Sequence, residues 1–458
     1  MTTERVEEKV RETLHAVALD RVRAPGDLAE QVVRRRGRRR FAQVVGAAVA
    51  VAAIGLGAVF GLGGGASLDR DRPVRPAESP EGWTPWQIDA PGAAERGCLV
   101  DGAALYCAGS KYDAAKFDAA TGERLWTVEI NGGGDGPDHP FAVRDGVLYG
   151  YRNHTADKQP DGDYAGGTDL MAVNTDTGRM LWSVEMAHDN RDDQSALLID
   201  GAVLANTPTD RTMSALDPLT GEEKWRHTWD KGIWCDRAVL SGVPYLLCTP
   251  ETKKPGDTDV LRLDPATGRT EKVMTLPGRQ EIAGTSGDRL VLMAAANADH
   301  PTAGDLRLTL VDGAGTRITH PYRIDGPRAG SDVVGDRLIT VNQQGEATAV
   351  SLTTGKTLWT SPVGFKMPDQ ESTDGMVNGI AAPVLSEKQR VVYFLDPSGD
   401  LSGLDLRTGE RVWRDHVDLG TSGSGAAYRG RPQLVSYEDV LIARNGGRMV
   451  SLLPRFTD

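Results

Sequence analysis

Few residues of this chain are arranged for catalysis or for metal binding. No two of its four cysteines are adjacent, and its eight histidines show no His-x-x-x-His spacing of the kind that holds zinc. No Gly-x-Ser-x-Gly segment is present, so the nucleophile elbow of serine hydrolases is missing. The sequence therefore offers no motif for a zinc enzyme or a serine hydrolase.

Basic residues are outnumbered by acidic residues outside the N-terminal segment. The chain has 52 Lys and Arg against 64 Asp and Glu, and its first 40 residues hold 11 basic and 7 acidic ones. The remainder has 41 basic and 57 acidic residues, a net charge near −16. Phosphate binding needs clustered Lys and Arg, so this balance disfavours a nucleic acid partner.

One long hydrophobic run stands near the N-terminus. Residues 41–62 carry no charge, contain Gln43 as their one polar side chain, and are long enough to span a bilayer as a helix. Six arginines between residues 34 and 40 come directly before this run. Positive charge stays cytoplasmic, so we expect residues 1–40 inside and the chain after residue 62 outside. Residues 63–80, rich in Gly, Asp, Arg and Pro, are interpreted as a flexible linker.

Two features of this N-terminal part have alternative interpretations. Arg38-Arg39-Arg40-Phe41 also fits the start of a cleavable twin-arginine export signal, although no clear Ala-x-Ala site or lipobox cysteine follows the apolar run. Val6, Val10, Leu14 and Val17 fall on one face of a predicted helix within the basic leader. That helix would dock a cytoplasmic regulator, or the segment would lie at the membrane surface or form a loosely ordered leader.

A short motif recurs through the rest of the chain. It reads Asp-x-x-Thr-Gly-x-x-x-Trp, with Asn or Ser replacing Asp in some copies. Its pairs are Gly122 with Trp126, Gly178 with Trp182, Gly221 with Trp225, Gly355 with Trp359, and Gly409 with Trp413. Two degenerate copies lack the tryptophan: Gly268 is followed by Lys272 in its place, and the other copy is 312–315. Glycines 40 to 56 residues apart are typical of a propeller.

Each motif lies between two strand-like runs and predicts a tight hairpin. The Asp or Asn side chain accepts a backbone hydrogen bond from two residues on, and the glycine adopts positive φ. The tryptophan falls on the next strand, where alternation turns it towards a neighbouring layer, so we expect it to pack between blades. A second hairpin precedes each motif, with turns at Asp101, Asp145, Asp200, Ser241, Gly287, Gly335, Glu387 and Glu438.

Two hairpins per period make one four-stranded blade. The sequence therefore predicts an all-β, eight-bladed β-propeller of four-stranded antiparallel blades over residues 81–458, preceded by one transmembrane helix and a short helical leader. The eighth blade lacks an outer strand at the C-terminal end. Residues 83–88 supply a spare strand, and we expect it to complete the last blade and close the ring, because closure removes an open sheet edge. The alternative is that these residues are only linker.

The Thr-Gly-x-x-x-Trp motif resembles the pyrroloquinoline-quinone-type β-propeller repeat. That repeat is shared by quinoprotein alcohol dehydrogenases, the outer-membrane assembly lipoprotein of Gram-negative bacteria and many actinobacterial envelope proteins. The resemblance implies a propeller, and for an enzyme it implies a vicinal cysteine pair, a tryptophan beneath the quinone and a catalytic Asp beside Ca²⁺ ligands. The chain has no Cys-Cys dipeptide, and no Asp or Glu matches the catalytic position. We expect no cofactor and no catalysis.

The cysteines predict two disulfides. Cys235 and Cys248 are equidistant from the turn at Ser241, and Cys98 and Cys107 flank the turn at Asp101 almost as symmetrically. Cross-strand neighbours reach disulfide distance, and the expected outer location is oxidising. The alternative is four buried free thiols.

Two further segments are candidates for recognition. Asp161, Asp163 and Asp169 lie in an Asp- and Gly-rich loop that could wrap Ca²⁺ in oxygen ligands, although such loops are usually only solvated. Long connections occur at residues 153–167 and 365–378. They either take part in recognition or are insertions that the fold simply tolerates.

The sequence favours a single-pass membrane protein with a non-catalytic propeller on the extracytoplasmic side. The propeller would bind a protein, a peptide or an envelope polymer through its faces. The alternatives are a quinone- or metal-dependent enzyme, and a transmembrane sensor that couples outside binding to a cytoplasmic regulator.

Overall fold

The computed structural model describes residues 74–90, 97–109, 112–129, 140–154, 167–186, 196–251, 256–295, 304–324, 328–365, 380–420, 432–445 and 448–456. In these ranges the chain forms thirty-two strands and no helix. The predicted leader (1–40) and transmembrane segment (41–62) lie outside the described residues. Within the described ranges no helix is long and apolar enough to cross a membrane.

The strands form eight antiparallel four-stranded sheets, which confirms the predicted eight-bladed propeller. Blade 1 contains β2 (Cys98–Asp101), β3 (Ala104–Gly109), β4 (Tyr112–Asp118) and β5 (Arg124–Glu129). Blade 2 contains β6 (Ala142–Arg144), β7 (Val147–His154), β8 (Gly167–Asn174) and β9 (Met180–Glu185). Blade 3 contains β10 (Ala196–Ile199), β11 (Ala202–Ala205), β12 (Thr212–Leu216) and β13 (Glu223–Thr228). Blade 4 contains β14 (Ile233–Leu240), β15 (Val243–Pro250), β16 (Thr258–Leu263) and β17 (Thr270–Leu276).

The remaining blades follow the same order, except for the last. Blade 5 contains β18 (Glu281–Ser286), β19 (Arg289–Ala295), β20 (Gly304–Asp312) and β21 (Arg317–Ile324). Blade 6 contains β22 (Arg328–Val334), β23 (Arg337–Asn342), β24 (Glu346–Ser351) and β25 (Thr357–Pro362). Blade 7 contains β26 (Val384–Ser386), β27 (Val391–Leu395), β28 (Asp400–Asp405) and β29 (Arg411–His416). Blade 8 contains β30 (Gln433–Tyr437), β31 (Val440–Asn445), β32 (Arg448–Leu452) and β1 (Gln87–Asp89).

The repeat motif builds the hairpin between the third and fourth strands of a blade. In blade 1, Asp118 Oδ1 accepts hydrogen bonds from Ala120 N at 2.9 Å and Thr121 N at 2.8 Å. Gly122 closes the turn with φ 75°, a backbone conformation that residues other than glycine rarely adopt. The five other predicted turn glycines, Gly178, Gly221, Gly268, Gly355 and Gly409, also have positive φ.

The two ends of the strands give the propeller two different faces. In each blade the first and third strands run in the same direction, so the hairpin turns that follow them lie on one side, called here the turn face. Connections on this face are at most six residues long, as in 217–222. The opposite side, the loop face, carries the connections between second and third strands and between blades, as long as residues 363–383. Every gap in the described residues between β1 and β32 falls in a loop-face connection.

The N-terminal strand closes the ring, as the sequence predicts. Strand β1 pairs antiparallel with β32, with Ile88 opposite Met449. Just before this strand, Ser451 Oγ accepts hydrogen bonds from Trp83 Nε1 at 3.2 Å and from the backbone N of Trp86 at 3.0 Å. The paired strand, Gln87–Asp89, is shorter than the predicted 83–88, and before it Ser451 N donates a backbone hydrogen bond to Trp86 O at 2.9 Å.

The core lies between neighbouring blades, where tryptophans of the motif cover glycines of the next motif. The indole Nε1 of Trp182 donates to Pro218 O at 3.0 Å, and a Cβ at Gly221 would come within 2.8 Å of the indole ring. Only glycine leaves room for the stacked indole, which explains why the two residues recur together. The same arrangement joins Trp126 with Gly178, Trp225 with Gly268, and Trp359 with Gly409.

Candidate functional site on the loop face

Two buried polar clusters lie near the loop-face end of the inner strands. The first is centred on β14 and is called here the blade-4 cluster: Trp234, Asp236, Arg237, Arg279 and Glu281. The second lies between blades 8 and 1 and is called here the seam cluster: Cys98, Tyr112, Gln433 and Arg444. Each contains a charged side chain that is about nine-tenths buried or more, such as Asp236 with 7% of its surface exposed and Arg444 with 5%.

Asp236 is the most perturbed group of the blade-4 cluster. Burial raises the pKa of this carboxyl to about 6, even though Arg279 and Arg237 favour its charged form and Trp234 donates a hydrogen bond to it. That bond joins Trp234 Nε1 to Asp236 Oδ1 at 3.1 Å. Glu281 acts in the opposite direction and favours the protonated acid. The cluster therefore holds a buried carboxyl whose pKa is raised in spite of two nearby arginines.

Aromatic rings surround the cationic side of this cluster. The Arg237 guanidinium lies 5.9 Å from the ring centroid of Trp229, within the range of a cation–π contact. Tyr151 of blade 2 lies close enough to Arg237 for the guanidinium charge to favour ionisation of the phenol. Burial has the larger effect and raises the pKa of Tyr151. The tyrosine oxygen accepts a hydrogen bond from Ala196 N at 2.7 Å. This arrangement of charge and aromatic surface suits recognition of a polar ligand.

The seam cluster is built on the first and third strands of blade 1 and the first two strands of blade 8. Gln433 Oε1 accepts hydrogen bonds from Cys98 N and from Arg444 Nε, each at 2.7 Å, and Gln433 Nε2 donates to Cys98 O at 2.8 Å. The side chain of Gln433 thus joins the two blades. Arg444 Nη1 and the Tyr112 hydroxyl are both buried and make no hydrogen bond to protein.

Both predicted disulfides are confirmed, and each adjoins one of the two clusters. Cys98 pairs with Cys107 and Cys235 with Cys248, with S–S distances of 2.04 and 2.08 Å. Each joins opposed residues of the first and second strands of its blade. The first disulfide fixes the backbone that Gln433 holds. The second precedes Asp236 directly in the chain, so both clusters have a cross-linked support.

The predicted calcium loop is only partly described. Asp161 and Asp163 lie outside the described residues. Asp169 lies on β8, where its Oδ2 accepts a hydrogen bond from Ser183 Oγ at 3.1 Å. In the part of the chain that the structure describes, no group of three or more His, Cys, Asp or Glu side chains is placed to hold a metal ion.

Trp86 is an interblade tryptophan that the motif search missed. It covers Gly122 of blade 1, and its Nε1 donates to Ala119 O at 3.0 Å, as the other tryptophans do with the next blade. The motif cannot be recognised around Trp86, because blade 8 takes its fourth strand from the other end of the chain. The one sequence feature that indicated an interblade role for Trp86 was the prediction that residues 83–88 form a blade strand.

His320 is a second residue that sequence reasoning missed, although a signal was present. It stands eight residues after Asp312, the spacing that separates Asp118 from Trp126. Its ring occupies the tryptophan position over Gly355. His320 Nε2 is buried and has no hydrogen-bond partner in the structure, unlike the indole nitrogens.

Lys272 stands at the tryptophan position of its motif in the sequence but does not pack between blades. Its Nζ pairs with Asp259 at 2.7 Å, and Val273 instead lies against the next turn at Gly315. The reason is local: in blade 4 the β-bulge lies between Val260 and Leu261, so Lys272 pairs with Leu261.

Trp413 meets no following motif, since blade 8 has none. Its ring packs edge-on to Tyr393, with centroids 5.6 Å apart at 85°. It belongs to a buried cluster against which Val74 and Phe456 also pack. Residues from both ends of the described chain thus complete the core around Trp413.

This is a propeller of pyrroloquinoline-quinone-type repeats, and the comparisons with known proteins define its family. The chain matches the family described as outer membrane protein assembly factor BamB over residues 110–270 and 256–457. The chain therefore belongs to this family of repeat propellers. No curated protein matches it.

Solved structures share the fold at low sequence identity. The computationally designed Ika8 protein is 14% identical, with a TM-score of 0.53 over 81% of this chain and 98% of that one. The quinohemoprotein alcohol dehydrogenase ADHIIG from Pseudomonas putida HK5 is also 14% identical, with a TM-score of 0.50 over 82% of this chain and 76% of that one. BamB from Moraxella catarrhalis is 18% identical over 81% of this chain and all of its own, with a TM-score of 0.46. At these identities the likeness concerns the fold alone.

The described residues do not fit a quinone and calcium site. Each disulfide joins two strands, so neither supplies a vicinal cysteine pair. The indoles of Trp126, Trp182, Trp225 and Trp359 are engaged in the seams between blades. Trp234 is bonded to Asp236, and no metal-ligating group of three lies in the described ranges.

Proposed function

We propose that this protein is a non-catalytic binding scaffold, anchored in the cell membrane by residues 41–62, that recognises a protein, peptide or envelope polymer outside the cytoplasm. The observation that carries this proposal is the difference between the two faces. The turn face is made of short hairpins, whereas the loop face combines the long connections with both buried polar clusters. Recognition on rigid scaffolds is usually placed on such connections.

The path of the N-terminal segment supports the loop face as the binding face. Arg75 N donates to Gln389 O at 3.2 Å, and Glu78 N donates to Asp439 Oδ2 at 2.8 Å. Lys388 bridges the two turns through Glu78 at 2.9 Å and Asp439 at 3.4 Å. The segment that leads back to residues 1–73 therefore runs along the turn face. A tether on this side leaves the loop face free for a partner.

Site-specific photo-crosslinking on the full chain tests which face binds. A photoreactive residue replaces Lys231 or Asp418, both exposed on the loop face, and Asp288 on the turn face serves as the matched control. We expect both loop-face positions to capture the same species, an excess of unlabelled full chain to compete for it, and Asp288 to capture none. Equal capture from Asp288, or no common species from the loop face, would contradict the proposal.

An intact mass spectrum of the purified full chain tests the non-catalytic part of the proposal. We expect the mass of the bare chain less four hydrogens, the result of two disulfides without a retained group. A stoichiometric quinone or Ca²⁺ would overturn this part and favour the enzymatic alternative.

A further inference from the structure

Among the described residues, Arg444 is a buried cation without an anionic partner. Only 5% of its surface is exposed, and the side-chain hydrogen bond that it makes within the described ranges runs from Nε to the neutral amide of Gln433. Its Nη1 is buried and makes no hydrogen bond. Arg337, another buried arginine, pairs with Asp336 and donates to Leu406 O. Arg390 resembles Arg444, because its Nε and Nη2 are buried and make no hydrogen bond in the described part of the chain.

The hydroxyl of Tyr112 adds a second unused donor in the same seam. It is buried without a hydrogen-bond partner, and Tyr112 and Arg444 lie close enough to influence each other electrostatically. Burial raises the pKa of this phenol to about 12 and lowers that of the guanidinium to about 10. At neutral pH the pair therefore presents an N–H and an O–H with one net positive charge.

An unpaired buried cation destabilises the folded state, and an anion that binds to it offsets this loss of free energy. Removing the partner of a buried charge strongly destabilises a protein, because the remaining charge is left uncompensated. Evolution usually pairs such groups. A site with two donors and a single positive charge matches a carboxylate, which has two acceptor oxygens and a single negative charge. A phosphate dianion would bring excess charge into the seam.

We propose that Arg444 and Tyr112 form a carboxylate-binding site in the seam between blades 8 and 1, at the loop-face end of the strands. Both residues stand at strand ends on that face, Arg444 next to the end of β31 and Tyr112 at the start of β4. Gln433 bonds blade 8 to Cys98 of blade 1, and the Cys98–Cys107 disulfide links β2 to β3 within blade 1. This inference rests on the proposed function, because the carboxylate would belong to an acidic side chain of the recognised protein or peptide.

Thermal denaturation of the full chain tests the site directly. Melting temperatures are measured in acetate and in chloride at equal ionic strength, and in inorganic phosphate as a further arm. We expect acetate to raise the melting temperature by about 2–4 °C over chloride, and phosphate to raise it less. Arg444→Met should lose the acetate effect and melt above the native chain in chloride, because it removes an unpaired buried charge.

Two variants keep the test decisive. Tyr112→Phe removes only the hydroxyl and should reduce the acetate effect even if Arg444→Met fails to fold. Arg448→Met is the matched control, because Arg448 lies on the neighbouring strand and already pairs with Asp418 at 2.7 Å. It should keep the acetate effect. An equal acetate shift in all variants, or none in the native chain, would overturn the proposal.

The source of the carboxylate is resolved by a second probe. A Gly-Glu-Gly tripeptide with both ends blocked presents only a side-chain carboxylate, and the corresponding Gly-Gln-Gly peptide is its control. Stabilisation by the Glu peptide alone supports a peptide or protein source, whereas an effect of acetate without any peptide effect confines the site to free small carboxylates and contradicts the peptide part. Failure of the crosslinking experiment would leave these melting results unaffected, so the two proposals fail separately.

Discussion

Leu358 and Trp359 are adjacent on β25 but contact different surroundings. Leu358 is 44% exposed, whereas Trp359 is 7% exposed, covers Gly409 of the next blade and donates from Nε1 to Leu406 O at 2.9 Å. Trp359→Ala should lower the free energy of unfolding by about 3–5 kcal/mol, because it leaves a cavity in the seam and an unpaired carbonyl. Leu358→Ala should change it by less than about 1 kcal/mol. Urea denaturation measures both. Similar losses would contradict the assignment of the indole to the seam.

His320 makes the fifth seam weaker than the tryptophan seams. A tryptophan at this position would stack on Gly355 and bring its Nε1 near the backbone of Leu352, the equivalent of Pro218 in blade 3. We expect His320→Trp to raise the free energy of unfolding by about 1 kcal/mol through this hydrogen bond and added burial. Lys272→Trp is the control and should give no gain, because Lys272 pairs with Asp259 outside the seam. Equal effects of both changes would count against the seam model.

Asp332 on β22 should make stability depend on pH. Burial raises its pKa to about 8, so the folded state favours the protonated acid while the unfolded chain ionises near pH 4. Its contribution is therefore fully present below about pH 4 and is lost as pH rises through about 8, by at most about 1.4 kcal/mol per pH unit. Asp332→Asn should flatten the fall in melting temperature between pH 5 and 9. Asp288→Asn, at an exposed turn, should leave the fall unchanged. If Asp332→Asn also leaves it unchanged, the burial argument is wrong.

At the scale of elements, β1 decides whether the ring is closed. It supplies the outer strand of blade 8 and carries Trp86 into the seam with blade 1. Removing residues 83–88 should lower the melting temperature by more than any single seam substitution, because blade 8 loses a strand and two buried indoles.

Two point substitutions separate the strand from its side chains. Trp86→Ala should reproduce a large part of the loss, and Thr84→Ala, at an exposed position between the two tryptophans, should not. An unchanged melting curve after the deletion would mean that the ring closes in another way.

At the scale of the whole molecule, the proposed anchor predicts how the chain is arranged in the cell. The full chain should remain with membranes in high salt and be released by detergent. Protease added to intact cells stripped of their wall should digest the propeller, because it would lie outside. Deleting residues 41–62 should release the chain from the membrane. Protection of the propeller, or membrane retention without residues 41–62, would contradict the proposed topology.

Much of the fold follows from the sequence, because its determinants are local. The Asp side chain, the glycine at positive φ and the strand residues on either side specify each hairpin within about ten residues. The eight hairpins between first and second strands fix the number of blades, and the symmetric spacing of cysteines about two turns fixes the disulfide pairing. The family resemblance rests on the same local motif.

The candidate site depended on the tertiary structure. Trp86 and the seam cluster join residues more than 300 positions apart, such as Cys98 and Gln433, and nothing in their local sequences marks them as partners. The motif also does not predict the shifted β-bulge of blade 4, which places Lys272 beside Asp259. Local turn chemistry determined the blades. Which charges became buried, and which found no partner, was decided only when the blades packed, because burial and pairing depend on the distant chain that surrounds each group.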